Sequence, residues 1–206
     1  MKALNKIKKC RKKVASQIME TIVNTGIKSI IDNAKTYCDT EGIEIELVYK
    51  LPEELLAIIS ERSKALPTLY FVSIALLKRR LKNGCFLIKK EEKVIGHIFA
   101  HEHHVKGHSV YERSSLWVDR NYRNYNLGLL LMSKMTELYT NDFLISIAQT
   151  SKVHHYNELL GMTHITLSEM SKILIEELEK IGKLRDELSY KYFVNSSFES
   201  EIRQLK

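Results

Sequence analysis

The segment from Ser115 to Met132 constrains the fold of this chain more than any other. It begins as an apolar strand end at residues 115–118, continues as a polar, basic loop and enters a helical pattern at Leu127-Gly128. In a strand-loop-helix unit, unpaired backbone N–H groups and the positive end of the helix dipole point toward one place. The sequence therefore predicts an anion site, of the kind that binds phosphate, where the loop meets the helix.

Three residues of this loop fit that prediction. Arg123 supplies a permanent positive charge. Asn126 is one of the few non-glycine residues that tolerate a positive φ, and Gly128 leaves room for a ligand to approach the backbone. The residues alone leave a second interpretation open, which is a basic surface turn before an ordinary amphipathic helix.

The pattern Arg123-x-x-Asn126-x-Gly128 resembles the Gln/Arg-x-x-Gly-x-Gly/Ala signature of the GNAT acyltransferase superfamily, with Asn126 in place of the first glycine. The similarity extends from about Ile43 to about Phe193, and outside the loop it rests on the order of the elements. It implies that the loop binds the pyrophosphate of acetyl-CoA. The residues implied are Arg123, Asn124, Tyr125, Asn126, Leu127 and Gly128.

The resemblance also implies where the rest of the acyl donor binds. Leu116, Trp117 and Val118 resemble the family's fourth strand, which carries a bulge and hydrogen-bonds the pantetheine arm. The strands on either side of the loop and helix then splay apart, and the arm fills the gap like an added strand. Thr150 stands where the family often has an arm-binding Asn.

Glu112 is the candidate general base. An amine acceptor arrives protonated, so it must lose a proton before it attacks a thioester. Glu112 lies six residues before Val118, and in the protein-lysine acetyltransferase branch of the family a catalytic Glu has that spacing. Such a base needs partial burial to raise its pKa toward neutrality. The alternative is a carboxylate on the sheet surface that pairs with a lysine.

Tyr156 is the candidate general acid for the leaving thiolate. The family often places a Tyr four residues before the Gly of a Leu-Tyr-x-x-x-Gly-Phe segment. Here Asn157 occupies that register before Gly161, and Tyr156 lies one residue earlier. Because one helical position is about 100° of rotation, Tyr156 has core packing as its alternative role. Asn157 is expected to hydrogen-bond the sulfur side of the thioester.

Hydrophobic periodicity predicts an alternation of helices and strands. Four predicted helices span residues 1–38, 68–82, 152–160 and 167–188, and two more begin at Pro52 and at Leu127. Pro67 precedes the helix at 68–82, and Gly161 ends the one at 152–160. The predicted strands span residues 43–49, a hairpin at 85–100 that turns near 91–92, 109–118, 143–148 and 189–194.

This order predicts an α/β (α+β) fold of the GNAT type, with a mixed, mostly antiparallel central sheet and helices on both faces. Residues 1–40 are expected to form an N-terminal helical extension, and residues 41–206 the acyltransferase domain. The helix at 167–188 is expected to be an insertion that pairs with the N-terminal helix.

Composition sets the remaining limits. A chain of 206 residues that is 44% hydrophobic buries one sizeable core. Cys10, Cys38 and Cys85 are odd in number and lack metal-site spacing, so they indicate reduced thiols in a cytoplasmic protein. No signal peptide and no membrane span are expected. The formal charge of +7 favours anionic partners such as CoA.

A group of five histidines suggests a metal site only weakly. Alternation places His97, His101 and His103 on one strand face, but no arrangement of carboxylates or cysteines completes a recognisable site. No metal is expected. A titrating histidine near the acceptor cleft and plain exposed turn residues are the other interpretations. The remaining members of the group are His104 and His108.

The predicted function is acyl-CoA-dependent N-acyl transfer, with acetyl moving from acetyl-CoA to a primary amine of a small molecule or a protein by direct attack. The rival from another class is a weakly active or inactive GNAT-fold binding module. It would engage a partner or nucleic acid through the basic cluster at residues 8–13. A homodimer is left open.

Overall fold

A single seven-stranded sheet organises the chain in the computed structural model, which describes residues 26–65, 71–105, 107–196 and 199–204. The strands are β1 (Ile43–Val48), β2 (Cys85–Lys90), β3 (Lys93–Val105), β4 (His108–Val118), β5 (Phe143–Ala148), β6 (Met162–Ile165) and β7 (Lys191–Asn195). The helices are α1 (described from 26 to 40), α2 (Glu53–Ala65), α3 (Ile74–Leu81), α4 (Leu127–Leu138), α5 (Ser151–Leu159), α6 (Lys172–Lys180) and α7 (Glu199–Gln204).

The strands lie in the order β1-β2-β3-β4-β5-β7-β6. Neighbouring strands are antiparallel except for β4 and β5, which run parallel. The parallel pair needs a crossover, and α4 supplies it. The mixed, mostly antiparallel sheet with helices on both faces is confirmed.

Helices α1, α4 and α5 cover one face of the sheet. Their apolar side chains meet Phe86 and Ile88 of β2, together with Leu144 of β5. Alternation along β2 turns Leu87 to the other face. The boundary at residue 40 between an extension and a domain stays a prediction, and Ala34 and Cys38 of α1 are buried in this main core.

Two smaller clusters cover the opposite face. In one, α2 and α3 pack on β2 and β3 around Leu87 and Phe99. In the other, α6 packs beside β5 and β7 through Leu174 and Leu178. Because α6 and the described part of α1 lie on opposite faces, residues 26–40 do not make the predicted pairing of these two helices. Residues 1–25, with Cys10 and the basic cluster, lie outside the described residues.

Local signals account for most helix ends. Helix α2 has Glu53 and Glu54 in its first turn, as predicted, where they complement the helix dipole. Helix α5 ends before Gly161, whose φ is +74°. Helix α3 begins later than predicted, because residues 71–73 are not helical and the Ser73 side chain caps the backbone N–H of Leu76. The predicted start at residue 68 lies outside the described residues.

The C-terminal region differs most from the prediction. Instead of one helix over 167–188, helix α6 covers Lys172–Lys180. Ser171 caps its N-terminus, and Gly182, at a φ of +67°, follows its end. Residues 162–165 form β6, which the sequence did not predict. Among the described helices, none combines the length and apolar character that crossing a bilayer requires.

Candidate functional site

A cavity of about 340 Å³ opens between β4 and β5. The register of the two strands ends at Arg113 and Ser146, and the residues beyond this pair line the cavity on both sides. The predicted gap between the parallel strands is therefore present. Its β4 wall includes Leu116, Trp117 and Val118.

The β4 wall carries the bulge that the resemblance implied. Two steps along β3, from His97 to Phe99, oppose three steps along β4. Ser115 has a φ of +52° there. Two polar contacts hold this conformation, because Arg80 Nη1 donates to Ser115 Oγ at 2.8 Å and His97 Nδ1 lies 2.8 Å from the Ser115 carbonyl oxygen. The bulge interrupts the ladder and aims backbone groups into the gap.

The loop before α4 has the backbone geometry predicted for it. A 3-10 turn at Arg120–Tyr125 ends at Asn126, which has a φ of +56°. The Asn126 side chain makes no cap hydrogen bond to α4, so it leaves the first-turn N–H groups to another acceptor. Gly128 lines the cavity, and a Cβ at this position would lie 3.5 Å from Tyr156 Cε2.

Two cations stand beside this loop. Arg123 and Lys152 both line the cavity. Arg123 Nε donates to the Val118 carbonyl oxygen at 3.0 Å, and Lys152 Nζ donates to the Arg123 carbonyl oxygen at 3.1 Å. These bonds fix the loop against the end of β4. They also place positive charge beside the N-terminus of α4, where it reinforces the helix dipole toward an anion.

The other loop side chains do not face the cavity. The Tyr125 ring stacks on Tyr37 with the ring centroids 3.8 Å apart. Leu127 is fully buried in the core. The lining of the cavity does not include the side chains of Asn124 or Asn126. Any contact from these positions to a ligand would therefore come from their backbone groups.

Thr150 and Tyr156 both line the cavity. Thr150 Oγ1 accepts a hydrogen bond from the Val153 backbone N–H at 3.4 Å, so it caps α5. The Tyr156 hydroxyl donates to Asn126 Oδ1 at 3.2 Å. Burial raises the pKa of Tyr156. Its ring also packs in the core, which is the alternative role considered for this residue, and the role of proton donor stays a prediction.

Asn157 lies in the core and not in the cavity where the thioester was expected. Its side chain is fully buried, and its Oδ1 accepts a hydrogen bond from Arg113 Nη2. It does not line the cavity. One step along α5 turns this side chain into the core, away from the side of Tyr156 that meets the gap. This placement gives no support to the predicted hydrogen bond from Asn157 to the sulfur, which stays a prediction.

Glu112 lies in the cavity wall and is 3% exposed. Lys183 Nζ donates to its Oε1 at 2.5 Å, and His103 Nε2 donates to its Oε2 at 2.8 Å. Burial would raise the pKa of Glu112, but Lys183, His101 and His103 hold it well below its usual value. The upward shift of the pKa that a functional base would need is absent, because Lys183 lies so close. The alternative, pairing with a lysine, is what the structure shows, although the pair is buried.

The histidine group divides by position. His101 and His103 approach Glu112 closely enough for their ligand atoms to surround a metal ion, within 4.8 Å of one another. Sequence reasoning missed the carboxylate because it comes from the neighbouring strand. Lys183 occupies the other oxygen of that carboxylate, and a cation there opposes metal binding. His104 is exposed.

Two of the buried histidines stay neutral at pH 7. Burial, with Arg62, lowers the pKa of His97 to about 3. Burial also lowers the pKa of His101 to about 4. His97 stacks on Trp117 with the ring centroids 5.6 Å apart, and Arg62 covers Trp117 at 3.5 Å from its ring centroid. Neither histidine lines the cavity, so the prediction of a titrating base among them gains no support.

Sequence reasoning missed four cationic residues of the site. Arg80 lies on the same face of α3 as buried Leu77. A charged residue on the apolar face of a predicted helix was the sequence signal that could have identified it as a site residue. Lys183 and Arg185 fall in a segment that was predicted as helix. Arg113 is buried with its Nη1 on Thr136 Oγ1 at 2.7 Å, and burial lowers its pKa to about 9.

Comparison with known families identifies the group to which this architecture belongs. The Acetyltransferase (GNAT) family model matches residues 49–161, which is more than half of the chain. The chain belongs to the GNAT acetyltransferase family. No curated protein sequence matches it.

Solved structures share the GNAT fold at low sequence identity. An acetyltransferase from Streptococcus agalactiae is 16% identical, with a TM-score of 0.55 over 75% of this chain and 98% of its own. Naa50 of Arabidopsis thaliana, with the bisubstrate analogue CoA-Ac-MVNAL, is 11% identical, with a TM-score of 0.52 over 74% of this chain and 96% of its own.

A third neighbour is N-acetylglutamate synthase of Neisseria gonorrhoeae, solved with coenzyme A and N-acetyl-glutamate. It is 10% identical, with a TM-score of 0.57 over 74% of this chain. The match spans only 34% of the synthase chain, so the likeness concerns one part of that protein.

Proposed function

We propose that this GNAT protein transfers an acetyl group from acetyl-CoA to an amine by direct attack. The observation that carries the proposal is the cavity between β4 and β5. It reaches from the loop around Arg123 and Gly128, on the α4 face of the sheet, to Glu112 and Lys183 on the other face. A donor and an acceptor can therefore meet from opposite sides of the sheet.

The donor half of the site suits a CoA nucleotide and its arm. In our proposal the pyrophosphate lies at the N-terminus of α4, where backbone groups of residues 124–128 are joined by Arg123 and Lys152. The bulged segment Leu116–Val118 offers backbone groups to the amides of the pantetheine arm. The absence of a side chain at Gly128 keeps this approach open.

The chemistry needs two proton transfers around one substitution. The neutral amine nitrogen attacks the thioester carbonyl carbon, the C–N bond forms, and the C–S bond breaks to leave the CoA thiolate. Glu112 is the proposed acceptor of the amine proton, and it is ionised because its pKa is low. Tyr156 is the proposed donor to the thiolate, since its raised pKa keeps the hydroxyl protonated at neutral pH.

Two neighbours support the choice of an amine acceptor. One was solved with coenzyme A beside N-acetyl-glutamate, and another with a CoA analogue joined through an acetyl group to a peptide. Both combinations unite CoA with an acetylated nitrogen compound. They support N-acetylation here at the level of the family.

Release of free thiol tests the proposal. Wild-type protein is incubated with acetyl-CoA and pooled amines, and the rates of Glu112→Gln and Tyr156→Phe are compared with it. General acid or base catalysis contributes about 10²–10⁴-fold, so each variant is expected to lose at least tenfold in kcat. Full activity of Glu112→Gln would overturn the assignment of the base.

One observation favours the rival function. The carboxylate of Glu112 is already bonded to Lys183 and His103, which weakens it as a base. A GNAT-fold binding module would need no base. Saturable CoA binding without thiol release across the amine panel would establish that rival. The basic cluster at residues 8–13, through which it would engage a partner, lies outside the described residues.

A further inference from the structure

Tyr125 connects the loop before α4 to helix α1. Its ring stacks on that of Tyr37, with the ring centroids 3.8 Å apart and the ring planes inclined by 4°. Tyr125 is the last residue of the 3-10 turn and directly precedes Asn126. The stack therefore joins α1 to the part of the loop that leads into α4.

The loop backbone needs support at this point. Asn126 has a φ of +56°. For a residue with a side chain the left-handed conformation costs free energy, although Asn tolerates it better than most. Two contacts offset that cost. Asn126 Oδ1 accepts a hydrogen bond from the Tyr156 hydroxyl at 3.2 Å, and the ring of the preceding Tyr125 rests on Tyr37.

Helix α1 is itself fixed to the sheet. Ala34 and Cys38 are buried in the main core, so one side of the helix is covered. Glu41, just after the helix, forms an ion pair with Lys90 of β2 at 2.7 Å. Tyr37 lies between these anchors in sequence. Its ring therefore has a fixed position against which the loop can pack.

We propose that Tyr37 is a positioning residue for the acyl donor. Through its stack on Tyr125 it holds the loop at residues 124–128 in the conformation that binds the pyrophosphate. The inference rests on the proposed use of acetyl-CoA. Tyr37 is not among the described residues that line the cavity, so it acts through Tyr125. It also precedes the residues that match the family model, which begin at residue 49.

Loss of the stack would lower the fraction of molecules whose loop has the binding conformation. When a ligand binds one of several conformations, the apparent Kd is the intrinsic Kd divided by the fraction of that conformation. A stacked aromatic pair stabilises one arrangement over the others by an amount that corresponds to about three- to tenfold in an equilibrium constant. The Kd for CoA should rise by that factor when the stack is removed.

Calorimetric titration of the full chain with CoA tests the proposal. Tyr37→Leu removes the ring and keeps apolar bulk, and its Kd for CoA should rise about three- to tenfold. Tyr37→Phe keeps the ring and should bind CoA within about twofold of wild type. The matched control is Tyr49→Leu, the same change at a tyrosine that is 54% exposed, and it should bind CoA as wild type does.

A double-mutant cycle separates this role from a general loss of structure. In the Tyr125→Leu background the stack is already absent, so adding Tyr37→Leu should change the Kd for CoA by less than about twofold. Urea denaturation reports the stability of each variant. A purely structural role for Tyr37 would lower the free energy of unfolding and leave the CoA affinity of the folded protein unchanged.

The outcomes separate this inference from the proposed function. An unchanged Kd in Tyr37→Leu overturns the inference and leaves acetyl transfer standing. An equal rise in Kd in both backgrounds also overturns it, since Tyr37 would then act without Tyr125. If Tyr37→Leu does not fold, Tyr125→Leu takes its place, with the same rise expected and the same result overturning the inference. Wild-type protein that does not bind CoA overturns the donor site and this inference together.

Discussion

Replacing Glu112 by glutamine isolates the energetics of the buried charges. The carboxylate is 4% exposed and the Lys183 side chain 9% exposed, so the variant leaves an ammonium group in the interior without its nearest carboxylate. Removing one partner of a buried pair costs about 3–5 kcal/mol. Glu112→Gln is therefore expected to lower the free energy of unfolding at pH 7 by that amount.

The loss of stability in Glu112→Gln cannot exceed the free energy needed to deprotonate Lys183, because the folded variant can hold this lysine neutral. From an unfolded pKa of 10.5, holding the lysine neutral at pH 7 costs about 5 kcal/mol, and at pH 9 about 2 kcal/mol. In the variant the unfolded state binds the extra proton, so stability rises with pH. The destabilisation relative to wild type should accordingly shrink between pH 7 and pH 9.

Urea denaturation at pH 7, 8 and 9 measures both effects. The control Glu176→Gln removes an exposed carboxylate on α6 and should stay within about 0.5 kcal/mol of wild type. The double variant Glu112→Gln/Lys183→Met should recover most of the loss, because it leaves no buried ammonium group without its carboxylate. A loss below about 1 kcal/mol at pH 7, or a double variant no more stable than the single one, would refute this reasoning.

Two further predictions concern the loop and the buried histidines. Gly128→Ala places its Cβ at an ordinary 3.5 Å from Tyr156 Cε2 and should keep CoA affinity within a fewfold, whereas Gly128→Trp should lower it at least tenfold by filling the cavity. Calorimetric titration with CoA measures the affinity of both variants, and equal affinities would count against the assignment of this loop as the CoA site. The pKa of His97 is lowered to about 3 in the folded state. As the pH falls below 6.5, the unfolded state therefore takes up a proton at His97 before the folded state does, and stability falls. His97 alone should account for about 2 kcal/mol of loss by pH 5, as seen in urea denaturation. His97→Gln should remove that share of the slope, unlike the exposed control His104→Gln. An unchanged slope would contradict the neutral state of His97.

Features that depend on neighbouring residues in sequence were predictable. The strand, the loop and the helix around Gly128 follow from local pattern, and Asn126 adopts the left-handed conformation expected of it. Gly161 ends α5 for the same local reason. The C-terminal helix was predicted too long, because the apolar spacing continues past Gly182 into a segment that packs without helical structure.

Features that depend on distant partners were not predictable. Glu112 and Lys183 are 71 residues apart, and only the folded sheet brings them together. This contact moves the pKa of Glu112 in the direction opposite to the one that a functional base would need. The role of Asn157 likewise depends on Arg113, which is 44 residues away. A single-residue rotation along α5 decided which of Tyr156 and Asn157 faces the gap.

Trp117 provides the most direct measurement of the central claim, that the gap between β4 and β5 binds the acyl donor. It is the single tryptophan of the chain and forms part of the cavity wall. Titration with CoA should change the fluorescence of Trp117 in a saturable way. The control with a blocked cavity is Gly128→Leu, because Gly128→Trp would add a second tryptophan. We predict saturation for wild type and a response weakened at least tenfold for Gly128→Leu. Constant emission from Trp117 up to millimolar CoA would contradict the account.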